Sequence, residues 1–179
     1  MVFTIFSLKN SKNLDDIELA YLRKMLAAYS VTNEGLWLQT LPWTKMEFYW
    51  CPSMTAENGV MGCFSPIYGD KIFLQPFDYN GMSNHIDGRV NWIEQLFITI
   101  IHELRHAYQW KKSKIGYIIC AFPILRQFTL EVDANAEQKK ATPFAEKWEA
   151  KQDYIAASKR GLVRDPFTEE EADQEKEDE

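Results

Sequence analysis

Three residues of this chain have the types and the spacing for metal-assisted hydrolysis. The run Ile100-Ile101-His102-Glu103-Leu104-Arg105-His106-Ala107 sets two histidines four residues apart, with a glutamate directly after the first. On a helix, positions i and i+4 share a face one turn apart, so two imidazole nitrogens can converge on one ion at roughly 2.0–2.1 Å. Glu103 lies about 100° further round, beside such an ion rather than bound to it, which is where a general base is needed. Two of the chain's three histidines fall in this pattern. At average residue frequencies the five-residue match arises by chance in roughly one chain of this length in two hundred, so a helix that merely carries two hydrogen-bonded histidines is the weaker reading. Burial beside Ile100, Ile101 and Leu104 favours the metal as well, because two imidazoles and a carboxylate are costly to desolvate and a divalent cation compensates them directly.

Zinc needs a third protein ligand and a free position for water. No histidine follows His106, so the best candidate is Glu131, in Glu131-Val132-Asp133-Ala134-Asn135. There a helix would put the acid, a small residue allowing close approach and a polar group on one face. Asp133 is the second choice, and His85, folding back from its loop, the third. Asn135 is placed to orient a zinc histidine from behind.

These residues need a scaffold, and hydrophobic spacing outlines one. A first helix is expected over Asn13–Tyr29, and a deeply buried helix over Val90–Trp110, whose apolar residues cover most of its circumference. Two more are expected over Pro123–Ala141 and Pro143–Lys159, the latter ended by Gly161 and Pro166. Between them the short runs Met46–Trp50, Val60–Phe64 and Lys71–Leu74 are separated by Pro52, Asn58-Gly59 and Gly69-Asp70, and read as a small antiparallel sheet. Asp78–Gly88 reads as a loop. The order is that of an α+β domain, here residues 1–165.

Composition narrows the classes. With 179 residues and 46% hydrophobic content the chain can bury a core without staples. Cys51, Cys63 and Cys120 stand singly, indicating neither a disulfide framework nor a thiolate zinc site, and a reducing compartment follows. Glu169–Glu179 carries a net −7 of the chain's −6, leaving the remainder at +1. Residues 166–179 are thus expected to be an acidic, disordered tail, and the nearly neutral body lacks the basic footprint of a nucleic-acid binder. Lys111, Lys112 and Lys114 read as a solvated helix end. Neither a signal peptide nor a membrane span is recognised, so a cytoplasmic protein without membrane partners is expected.

His-Glu-Leu-Arg-His at 102–106, together with Glu131-x-x-Ala134-Asn135, resembles the zincin superfamily. Within it the chain is similar to the gluzincin-like peptidases, in which HExxH is followed by a glutamate on a second helix, and to the compact ImmA/IrrE-type and phage-encoded neutral zinc metallopeptidases. The resemblance spans about Lys71–Ala141. Trp110 stands where many ImmA/IrrE-type proteins carry another histidine, and Asn135 where thermolysin-like enzymes place Asp. The resemblance implies a minimal zincin-like fold with a small antiparallel sheet on the active-site helix. It also implies one zinc ion held by His102, His106 and Glu131, and hydrolysis of a peptide or protein substrate with Glu103 as general base. Lys71–Leu74 would be the edge strand that receives the substrate, and Tyr108 or Tyr117 the group facing the oxyanion. The alternative is a zincin-like domain that binds peptide or protein without cleaving it. A purely structural metal site is weaker, because such sites are usually closed.

Overall fold

The computed structural model describes residues 14, 16–42, 46–51, 61–68, 70–76 and 86–148. His85, the acidic tail and most of the helix expected over Pro143–Lys159 lie outside them. Among the described residues the architecture is α+β, with five α-helices and one three-stranded sheet. The helices are α1 (Asp16–Tyr29), α2 (Ile86–Lys112), α3 (Lys114–Cys120), α4 (Pro123–Phe128) and α5 (Leu130–Glu146), and the strands β1 (Glu47–Trp50), β2 (Gly62–Ser65) and β3 (Lys71–Leu74).

Helix α2 organises the molecule. Its 27 residues span about 40 Å, and Trp92, Ile93, Leu96, Phe97, Ile100, Ile101 and Leu104 are all buried. It starts four residues before the expected Val90, so its first turn lies in the stretch read as loop. The extra residues include Gly88, a poor helix former held here by the rest of a long helix. Helix α1 contributes Leu22, Met25, Leu26 and Tyr29 to the same core, at the helical spacing that marked it in the sequence.

The sheet is mixed rather than antiparallel. β2 and β3 form a hairpin whose connection includes a 3-10 turn at Pro66–Tyr68, with Asp70 in the left-handed region (φ 59°), a conformation Asp tolerates better than most residues. β1 takes the other side of β3 and runs parallel to it, giving the order β1-β3-β2. The reason is topological. A hairpin partner occupies one edge of β3, and the earlier strand is left with the opposite edge. In register, Phe48, Ile72 and Phe64 form one row across the three strands, all buried. Tyr49 and Phe73 alternate to the other face, with ring centroids 5.8 Å apart.

The helix expected over Pro123–Ala141 is two helices. Thr129 breaks it with φ −127° and ψ −74°, and its hydroxyl donates to the Leu125 carbonyl at 2.7 Å. Helix α5 then continues through Pro143 to Glu146 instead of stopping at Ala141. Ala134, Ala141 and Ala145 are buried along it, and packing of this small-residue face outweighs the backbone bond that a proline near the helix end forgoes. No helix among the described residues is long and apolar enough to cross a membrane. Cys51, Cys63 and Cys120 are half-buried thiols.

Candidate metal centre

Helices α2 and α5 pack along each other, and the site lies where the middle of α2 meets the start of α5. His102 and His106 project from one face of α2 with their Nε2 atoms 3.2 Å apart. From α5, Glu131 brings Oε2 to 3.2 Å from His102 Nε2 and Oε1 to 3.5 Å from His106 Nε2. The ligand-capable atoms of these three residues lie within 4.8 Å of one another, and theirs is the group among the described residues that could hold a metal ion. Donors at about 2.0–2.1 Å from one tetrahedral ion stand about 3.3–3.4 Å apart, and the separations of His102 Nε2 from His106 Nε2 and from Glu131 Oε2, both 3.2 Å, are close to two edges of such a tetrahedron.

The tautomers suit this. His102 Nδ1 faces Gln138 Oε1 at 3.2 Å, and His106 Nδ1 faces Gln109 Oε1 at 2.9 Å. An amide oxygen can only accept, so each Nδ1 carries the proton and each Nε2 lone pair points to the common centre. Sequence reasoning gave the orienting role to Asn135, which is exposed. The face of α5 turned to α2 carries Glu131, Ala134, Gln138 and Ala141, and Asn135 sits roughly 80° round from its centre at 100° per residue. Gln109, three residues after His106, and Gln138, seven after Glu131, had the spacing to be found. Amide side chains at such positions are common enough to draw no notice.

Asp133, the second choice for ligand, is turned elsewhere. It accepts two hydrogen bonds from Arg105, at 2.7 and 2.9 Å, and one from Gln109 at 2.8 Å. Gln109 also donates to the Leu130 carbonyl at 3.1 Å, so a single amide ties His106 on α2 to the first turn of α5. The Arg105 guanidinium lies over the rings of Trp37 and Tyr108, 5.2 and 4.8 Å from their centroids, and the Trp37 indole donates to the buried Glu137. Arg105 thus fixes α5 against α2. Asp133 is 41% exposed, so solvent screening discounts the ion pair. Arg105→Ala is expected to cost about 2 kcal/mol, shared between the forked hydrogen bonds and the two ring contacts, measured as a lower urea midpoint with an unchanged slope.

Glu103 stands apart from the three ligand candidates. It is buried, and its Oε2 accepts the Phe64 amide at 2.7 Å. That amide is free for a geometric reason. Gln75 N donates to Met61 O across the hairpin, and alternation in an antiparallel ladder then turns the N–H and C=O groups of Gly62 and Phe64 away from β3. Gly62 leaves room for the carboxylate, since a Cβ there would come within 2.9 Å of Glu103 Cγ and 2.7 Å of Thr99 Cγ2. Burial pushes the Glu103 carboxyl up to about 7, against the opposing pull of His106 and the Phe64 amide.

The ligand cluster has an opposite bias. A hydrogen bond from His106, which its Nε2 donates only while the ring is protonated, holds the Glu131 carboxyl down at about 2, with burial opposing and Arg126 reinforcing. Burial and the neighbouring His106 lower His102 below the ordinary imidazole value. Burial also disfavours charge on His106, but the hydrogen bond to Glu131 and the field of Glu103 outweigh it and raise that ring. Positive charge is therefore favoured between imidazoles and carboxylate, and a divalent cation supplies it more fully than a proton.

Of the two tyrosines singled out, Tyr108 packs on Trp37 and Arg105. Tyr117 is at the site, edge-on to His106 and to Phe64 at centroid distances of 6.4 and 6.3 Å, and burial pushes its hydroxyl up to about 12, which keeps it a donor. Of the lysines, Lys111 donates to the Thr40 carbonyl and Lys114 lies over the Trp110 ring.

Comparisons of the chain with protein-family models, with curated proteins and with solved structures find no match.

Proposed function

We propose that this chain is a zinc-dependent peptidase of the zincin type, with a gluzincin-like ligand set of His102, His106 and Glu131 and with Glu103 as general base. The observation that carries the reading is the convergence of ligand-capable atoms of His102, His106 and Glu131 within 4.8 Å of one another, beside a buried carboxylate that is not one of them. A zinc ion held there would supply Lewis acidity to water and to the scissile carbonyl at neutral pH.

The chain's own residues account for the rest. Glu103 takes the proton of the attacking water and delivers it to the leaving amine, as a positioned general acid–base does. Tyr117 stands beside His106 with a protonated hydroxyl, the kind of donor that stabilises an oxyanion. Lys71–Leu74 cannot be the edge that receives substrate, because β3 is the central strand. That role passes to β2, the edge strand beside Glu103; its outward Phe64 N–H is taken by Glu103, which leaves the outward groups of Gly62 to pair with an extended peptide main chain.

The test is digestion of a peptide library with and without chelator. Cleavage abolished by chelation and restored by zinc is expected. Zinc binding without any chelator-sensitive cleavage would leave the non-hydrolytic, peptide-binding alternative. The placement of Glu103 against β2 has its own test. Gly62→Ala forces Glu103 aside, and since a misplacement of about 1 Å costs on the order of 100-fold, turnover should fall by that order while bound zinc, measured by metal analysis, stays unchanged.

A further inference from the structure

Both oxygens of Glu131 face the imidazole pair, Oε2 at 3.2 Å from His102 and Oε1 at 3.5 Å from His106. An unrestrained carboxylate so placed would chelate an ion through both oxygens and fill the position that a hydrolytic site must keep open for water. A third group prevents this. Arg126 Nε lies 2.6 Å from Glu131 Oε1, a charge-assisted hydrogen bond at the short end of its range. The contact depends on the break at Thr129. In an unbroken helix, residues five apart point about 140° away from each other, whereas the turn between α4 and α5 brings Arg126 back onto Glu131.

We propose that Arg126 is a positioning residue that holds Glu131 Oε1 out of the coordination sphere, so that Glu131 serves as a one-oxygen ligand and the fourth metal position stays open. The inference rests on the metallopeptidase reading above. It assigns the Lewis acidity of the site partly to α4, an element that carries none of the ligand or base residues. The guanidinium is half-exposed, so its removal leaves no buried cavity and the variant is expected to fold.

The experiment is visible absorption of the cobalt-substituted protein, because four-coordinate cobalt absorbs several-fold more strongly in that range than five-coordinate cobalt. Wild-type protein should give the intense four-coordinate band. Arg126→Ala, binding one equivalent of cobalt, should lose several-fold in intensity as Glu131 closes onto the ion with both oxygens. Arg126→Lys, which keeps a positive charge near Oε1, should lie nearer the wild type, and it carries the comparison if the alanine variant fails to fold or to hold cobalt. An equally intense band in Arg126→Ala, or a weak band in Arg126→Lys, would overturn the role of Arg126 alone. Wild-type protein that takes up neither zinc nor cobalt would overturn the peptidase reading and this inference together.

Discussion

Replacing Glu103 by Gln is expected to lower peptide turnover by about 100- to 10,000-fold, the usual contribution of a positioned general acid–base, with zinc still bound at close to one equivalent. The two effects separate because Glu103 is not among the residues whose donor atoms converge. Its oxygen is engaged by the Phe64 amide instead. Glutamine keeps the volume and still offers a carbonyl oxygen to that amide, so the β2 contact survives while the proton acceptor is lost. Burial is expected to cost less in the variant, since a carboxylate at 5% exposure is harder to desolvate than an amide. A stability equal to or above wild type, read by urea denaturation, should therefore accompany the loss of turnover. Glu103→Gln protein that cleaves peptides at the wild-type rate would remove Glu103 from the mechanism.

The second large effect is on metal binding. Glu131→Ala removes the only acid of the three convergent residues, and the loss of zinc affinity should exceed the roughly 10- to 100-fold that removal of an outer partner typically costs. A convenient readout is thermal stability with added zinc. At a zinc concentration of about 100 times the dissociation constant the folded protein gains about 2.7 kcal/mol, which for a domain of this size raises the melting temperature by roughly 5–10 °C. The same concentration should move the Glu131→Ala melting temperature by about 2 °C or less if affinity falls 100-fold or more. Asp133 provides the contrast. It is held by Arg105 and Gln109, so Asp133→Asn should keep most of the zinc-induced shift. An unchanged shift in Glu131→Ala would mean that the third ligand is another group.

How legible this was depended on the range of the interaction that each feature rests on. The pairing of His102 with His106, and the separate placement of Glu103, follow from helical periodicity within a single element, and the sequence states them outright. The spans of α1, α2 and β3 were readable for the same reason, with apolar residues recurring at the period of their own element. Glu131 was reachable because few acids sit on a small-residue helix face downstream, although nothing local separates it from Asp133. That choice was made by Arg105, 28 residues away, which draws Asp133 off to the side.

The features that only the tertiary structure decided are those in which two distant elements share a constraint. Which strand is central depends on how the β2–β3 hairpin is flanked by β1, and a period of two marks strands without ordering them. Gln109 and Gln138 become meaningful only once α2 and α5 are packed and their amides meet the imidazoles. Arg126 reaches Glu131 only through a helix break at Thr129 that propensity does not announce, since threonine is tolerated within helices. By itself, then, the sequence determined the chemistry that one helix could offer. Packing decided which partners face its side chains, which strand lies beside it and which charge meets Glu131, because hydrogen bonds and ion pairs between elements depend on distances that no local pattern encodes.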